Sequence, residues 1–219
     1  MNLDFSRIQE DIPFILAGIR VTLQFTLLSV IFGFAWGTIL SLFKISRIAP
    51  LRWFSVFYTS IFRGTPLILQ LTLIYFAVPQ LTNFDISPLQ AGVFTFSLNS
   101  GAYTSETIRG GILAVDKGQW DAAASLGVPY RQMMLDIVFP QALKNILPAL
   151  VNESIALLKD SALVSVISVT DVMRRAQIVA ASKFLYFEPL IVAGLIYYVL
   201  VMTLTWAAQR FERRLRASD

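Results

Sequence analysis

No cysteine and no histidine occur among the 219 residues of this chain. The first absence excludes disulfide staples and thiolate chemistry. The two together exclude the usual zinc sites and any triad built on an imidazole. Charge is also scarce, with Asp, Glu, Lys and Arg at 15% of the residues, where soluble domains carry about 25%. Against that scarcity stand 56% hydrophobic residues and a mean hydropathy of +0.64, which place the chain in the integral-membrane class. The phosphate-cradling pattern GxxxxGK[ST] is missing, so the chain is not its own ATPase. The net charge of +4 is too small for a nucleic-acid footprint and reads as topology signal. Neither a catalytic residue nor a metal site is expected.

A helix crossing the bilayer needs about 20 mainly apolar residues. Charge-free runs of that length lie at Val21–Phe43, Gly64–Phe84, Ile86–Ser105 and Pro189–Gln209. A fifth, about Ile146–Ile167, is apolar apart from Glu153, Lys159 and Asp160. The expectation is one all-α transmembrane domain over 1–219, with spans near 14–43, 54–80, 86–107, 145–168 and 188–210. The acidic "MNLDFSRIQEDIPF" lacks the basic start of a cleavable signal, so the first span is expected to stay. That segment is expected to lie on the outer surface as an amphipathic helix.

Basic residues set the orientation. Lys44, Arg47 and Arg52 sit between spans one and two, and Arg109, Lys117, Arg131 and Lys144 between three and four. Arg210, Arg213, Arg214 and Arg216 close the chain. These place the C-terminus and the third loop in the cytoplasm and the N-terminus outside. Arg174, Arg175 and Lys183, before span five, break the pattern.

Within the third loop, 117–140, "DAAASLGVPYRQMMLDIVFP" is too polar and too broken to span anything. Asp121–Leu126 reads as a helical turn and Gly127 as its left-handed cap. Pro129 suits the first turn of a second helix, which is expected to stop before Pro140. Met133, Met134, Ile137 and Val138 share one apolar side of that helix. The small residues Ala122, Ala123 and Ala124 allow another protein to approach the first helix closely, as a plug in a groove. The alternative is a loop helix packed on its own helix ends.

Charged residues inside a span are costly and usually face a pathway or a partner. Glu153 and Asp160 are seven residues apart, two turns and roughly 10 Å in height on one face. Stacked acids suit an ammonium and a second cationic group; the alternative is local pairing of Asp160 with Lys159. Asn99, Tyr103 and Glu106 share a face of span three. Glu106 is expected to pair with Arg109, and Asn99 is the better ligand candidate. Arg63-Gly64-Thr65-Pro66 opens span two with a helix-start signal, and Gly64 and Thr65 are candidates for a substrate-facing break. A simple proline kink, with Arg63 reaching lipid headgroups, is the alternative.

Asp121-Ala122-Ala123, Gly127, Ile137 and Phe139-Pro140 keep every spacing of a pattern that marks the membrane subunits of ATP-binding-cassette (ABC) importers. Asp stands where that pattern has Glu, and Phe139 where it has Leu. "FRGTPLILQL", "NSGAYTSETIRGGI", "FPQALKNILPAL" and "NESIALLKDSALVSVI" also resemble the polar amino-acid uptake group of these permeases. The resemblance implies a type I importer fold in a bacterial cell membrane. It implies that Asp121, Ala122, Ala123, Gly127 and Pro140 form a cytoplasmic coupling helix; Glu153, Asp160, Asn99, Gly64 and Thr65 are the substrate-site candidates that the residues themselves offer. Its partners would be two cytoplasmic ATPase subunits, which bind ATP and Mg, a second permease subunit (homodimer or close heterodimer) and an external amino-acid-binding protein. The substrate it implies is a polar amino acid; the two acids favour arginine, lysine or histidine over glutamine. An ATP-independent channel is a rival class. So is an intramembrane hydrolase using the acid pair, although two turns is too far for a shared proton.

Overall fold

The computed structural model describes residues 4–216, and side chains as far as Arg213. Met1–Leu3 of the expected surface helix, the last three residues, and the side chains of Arg214 and Arg216 lie outside the described residues. Among the described residues every regular element is helical. Eight helices carry the architecture: α1 (Gly18–Ile45), α2 (Ala49–Gly64), α3 (Leu67–Thr72), α4 (Pro88–Leu113), α5 (Lys117–Ser125), α6 (Phe139–Asp160), α7 (Val172–Lys183) and α8 (Phe187–Arg216). Shorter helical pieces join them.

α1 and α4 form the broadest helix pair in the molecule, and small residues explain why. Gly33 and Gly37 on α1 face Ser100, Gly101 and Thr104 on α4, and a Cβ on Gly37 would meet the Thr104 Cβ at 2.5 Å. Lipid offers no hydrophobic drive between helices, so such close backbone contact is a main source of attraction. α4 begins cleanly because Ser87 and Gln90 cap it reciprocally and Pro88 opens its first turn. Phe25 of α1 and Phe96 of α4 meet edge to face at 4.9 Å and join Leu71, Leu157 and Val164 in the central core.

Among the described residues two stretches are long and apolar enough to cross a membrane alone: Phe5–Ile45, of 41 residues, and Phe187–Arg213, of 27. α4 and α6 carry more polar residues; those of α4 from Thr95 to Ser105 are largely buried, whereas Asn152, Lys159 and Asp160 of α6 are exposed. Ala49–Gly64 and Leu67–Thr82 pass the same test only as a pair, bent by 102° at Thr65–Pro66. The chain therefore breaks where the Thr-Pro signal falls. Thr65 is extended (φ −123°, ψ 147°), as a residue before proline prefers.

Two expectations need correction. The helix of the third loop does not stop before Pro140. It runs through Tyr130–Gln132, a π-turn at Met133–Val138, and on into α6. Within the π-turn the Phe139 N–H bonds to Met134 O, five residues back. That wider winding spares Pro140 the clash and missing bond it would bring to a regular ladder. The N-terminal segment, in turn, is not merely laid on a surface. Ile8 and Ile15 are buried with Val172, Ala176 and Ala193, so it packs on α7 and α8. Two of the three basic residues that broke the charge pattern are anchored there: Arg175 Nη1 donates to Phe14 O at 3.1 Å, and Lys183 pairs with Asp11 at 3.4 Å.

Candidate functional site

The helix break leaves backbone carbonyls without partners in their own helix. Two side-chain amides take them up. Gln70 Nε2 lies 2.9 Å from Phe62 O, 3.1 Å from Thr65 O and 2.8 Å from Thr65 Oγ1. Asn99 Nδ2, from α4, donates to Phe62 O at 3.0 Å and to Gln70 Oε1 at 3.0 Å. Both residues are buried. Thr65 does not cap the next helix as its sequence position suggested, since Pro66 is that N-cap. Its hydroxyl donates back to Ile61 O at 2.9 Å.

Beside this clasp lies a cavity of about 280 Å³ lined by Thr65, Leu67, Asn99, Tyr103, Glu153, Ala156, Leu157 and Asp160. Ligand pockets run from about 300 to 1,000 Å³, so this one suits a single small molecule. It gathers two carboxylates, one amide and two hydroxyls from three helical regions. Four of the five sequence candidates meet here: Glu153, Asp160, Asn99 and Thr65. Gly64 is not part of the lining. A larger groove of about 750 Å³ beside Phe32, Trp36 and Phe94 is almost wholly apolar and offers nothing to hold a charged ligand.

Around the cavity the charges are arranged in pairs. The expected Glu106–Arg109 contact is present at 2.8 Å. Lys44, which sequence reasoning treated only as a topology charge, also bonds Glu106 at 2.5 Å and Ser105 Oγ at 3.0 Å. The Lys44 side chain is 4% exposed. The group is thus a buried tie between α1 and α4, beyond the cavity. The Arg63 guanidinium lies 5.3 Å from the Tyr103 ring centroid, so it stacks on the cavity wall instead of standing apart. Sequence reasoning missed Gln70; its only signal was one amide in the apolar run "LILQLTLIYF".

The loop element divides into two faces. Met133, Val138 and Ala123 are buried with Val115, Ala142 and Ile146, which confirms the apolar side of the second helix. Asp121, Ala122, Gly127 and Pro140 are exposed, and Leu126 is 82% exposed. Ala123 is the exception among the five coupling candidates: it points into its own core. Gly127 has φ +70°, and the bonds Val128 N–H to Ala123 O and Gly127 N–H to Ala124 O close the expected left-handed cap.

Residues 29–217 match a family described as "Binding-protein-dependent transport system inner membrane component". The chain is 55% identical to the arginine transport system permease protein ArtQ of Bacillus subtilis (strain 168), over the whole of both chains. It is 50% identical to the putative glutamine transport system permease protein GlnP of Rickettsia bellii (strain RML369-C), covering 97% of each. Among solved structures, a chain of an amino acid ABC transporter crystallised with histidines matches with a TM-score of 0.94 and 42% identity. That match covers 98% of this chain and 100% of the other.

Proposed function

This chain belongs to the family of binding-protein-dependent transport system inner membrane components, and from that premise we propose how it recognises its cargo. It is the permease subunit of an ABC amino-acid importer in the bacterial inner membrane, and ATP hydrolysis belongs to a separate subunit. The cargo proposed is a basic amino acid, arginine first. One observation carries this: the cavity places Glu153 and Asp160 on one wall, facing Asn99, Thr65 and Tyr103. Glu153 is half-buried and Asp160 exposed, and a carboxylate within a membrane helix is costly without a counter-charge. A neutral amino acid brings one ammonium, whereas arginine or lysine brings a second cation. The relative named for arginine and the transporter solved with histidines agree with that reading. A second reading, glutamine, rests on the 50% identical relative named for that substrate.

The chain is proposed to cross the membrane five times, with its N-terminus outside and C-terminus inside. The anchoring of α7 on the N-terminal segment supports one shared side for both. The exposed Asp121, Ala122, Leu126 and Gly127 are proposed to dock in the ATPase, with an external binding protein on the opposite side. Past the tight turn at Leu126–Pro129 the element runs as one helix from Tyr130 to Asp160, so a push on the docked helix crosses that single capped turn on its way to Glu153. Two ATPases and a second permease subunit would complete the assembly, which works by alternating access.

Uptake by the reconstituted transporter tests the substrate reading. Glu153→Gln removes a charge-assisted hydrogen bond worth about 1.5–3 kcal/mol, or roughly 10- to 100-fold in affinity. Uptake of arginine should fall by that order, and uptake of any neutral amino acid far less. Equal arginine uptake by both forms removes Glu153 from the site.

A further inference from the structure

The orientation of each amide in the clasp follows from its neighbours. Phe62 O and Thr65 O are carbonyls and only accept, so the end of Gln70 that faces them is its NH₂. Its carbonyl, Oε1, then faces Asn99, which has to supply a donor. Asn99 does so with Nδ2, which also serves Phe62 O. Oδ1 is thus the one polar atom of Asn99 left for the cavity. Thr65 is constrained in the same way. Its oxygen receives the Gln70 N–H, so its own proton turns to Ile61 O.

The consequence falls on the cavity wall. Asn99 Oδ1, a Thr65 lone pair and the carboxylates of Glu153 and Asp160 are all acceptors when the acids are ionised. Among the lining side chains only the Tyr103 hydroxyl has a proton to give.

We infer that Gln70 is a specificity-determining positioning residue: by accepting one Asn99 N–H and donating to the Thr65 oxygen, so that the Thr65 proton points to Ile61 O, it makes the side-chain wall one of acceptors. Such a wall suits a ligand end built of N–H donors alone, a guanidinium or an ammonium. A carboxamide presents a carbonyl that the wall leaves with few partners, and an unpaired polar atom is where sites discriminate most strongly. The inference rests on the cavity being the substrate site. Gln70 does not line the cavity; it acts through Asn99 and Thr65.

The test is binding of radiolabelled arginine to the detergent-solubilised permease–ATPase complex without its binding protein, whose own selectivity would mask the effect. Arginine and glutamine compete on the same preparation, and the ratio of their inhibition constants is the readout. A merely structural loss lowers both together and leaves the ratio in place. Gln70→Met removes the donor and the acceptor at similar volume, freeing Asn99 to turn a donor inward. The ratio should move toward glutamine by about tenfold, the order expected for one hydrogen bond gained or lost. Gln70→Asn, too short to reach the break carbonyls and Asn99 together, should move it the same way.

A ratio unchanged within twofold in both variants overturns the inference. Failure of both to assemble overturns it too, because Gln70 is then a folding residue. Glu153→Gln measured in parallel separates the two claims. If Glu153→Gln weakens arginine binding while the Gln70 variants keep the ratio, only the role of Gln70 is lost. If Glu153→Gln leaves arginine binding intact, the cavity reading fails with it.

Discussion

At Pro66 the chain breaks and turns through 102°, whereas at Pro140 it runs on as helix from Tyr130 to Asp160. Both prolines lack an N–H and push on the preceding turn. At Pro140 the solution is local. One wide turn, Met133–Val138, absorbs the ring within the same segment. At Pro66 no wide turn precedes the ring, and the carbonyls of Phe62 and Thr65 are left over. They are satisfied by Gln70 and by Asn99, which is 37 residues from Phe62. The difference teaches where rigidity and responsiveness lie. A proline accommodated in place leaves a continuous rod, suited to carry force. A break stitched from a distant helix ties the bend of α2 and α3 to α4, and hence to the cavity wall.

The largest expected effect comes from spoiling the rod. A π-turn holds one residue more than the regular helix, and Leu135 within it is exposed. Deleting Leu135 should restore α-helical winding and set Pro140 against a regular ladder. At about 3 kcal/mol for such a clash, substrate-stimulated ATP hydrolysis should fall roughly a hundredfold while membrane insertion persists. Stimulation at the normal level would show that the rod does not transmit.

Asn99→Leu attacks the break. It leaves Gln70 Oε1 without its donor and Phe62 O with one donor fewer, and an unsatisfied buried group costs about 1–3 kcal/mol. The purified complex should unfold at lower temperature or denaturant than the parent. An unchanged midpoint would mean that the bend is held by other contacts.

The smallest effect is expected for Pro140→Ala. Since the wide turn already accommodates the ring, removing it should change stability by no more than about 1 kcal/mol and leave uptake within about twofold. A loss as large as that of the Leu135 deletion would show that the proline itself props the turn open.

Legibility in the sequence followed the range of the forces involved. The break at Thr65–Pro66 and the left-handed Gly127 are decided by neighbouring backbone sterics, so a few residues announce them. The face shared by Glu153 and Asp160 follows from helical period alone. The family was legible as well, through the spacing around Asp121, Gly127 and Pro140. Missed were the passage of the helix through Pro140 and the inward turn of Ala123. The inward turn of Ala123 depends on which side of the loop element packs on Val115, Ala142 and Ile146, and the passage through Pro140 on a wide turn that no residue pattern announces.

By itself, then, the sequence determined an apolar, all-helical membrane chain of this family, its interruptions, and the acids placed along one helix face. Those features are set by composition, period and local backbone geometry, which act within a few residues. Only the tertiary structure decided what the interruptions enclose. The Lys44–Glu106 tie joins residues 62 apart in sequence, and the Asn99–Gln70 clasp joins residues 29 apart. A hydrogen bond needs its partners within about 3 Å and correctly aimed, and no spacing rule along one chain supplies that. Packing α4 against the broken span did so, and it set which atoms of Asn99 and Thr65 remain free to meet a ligand.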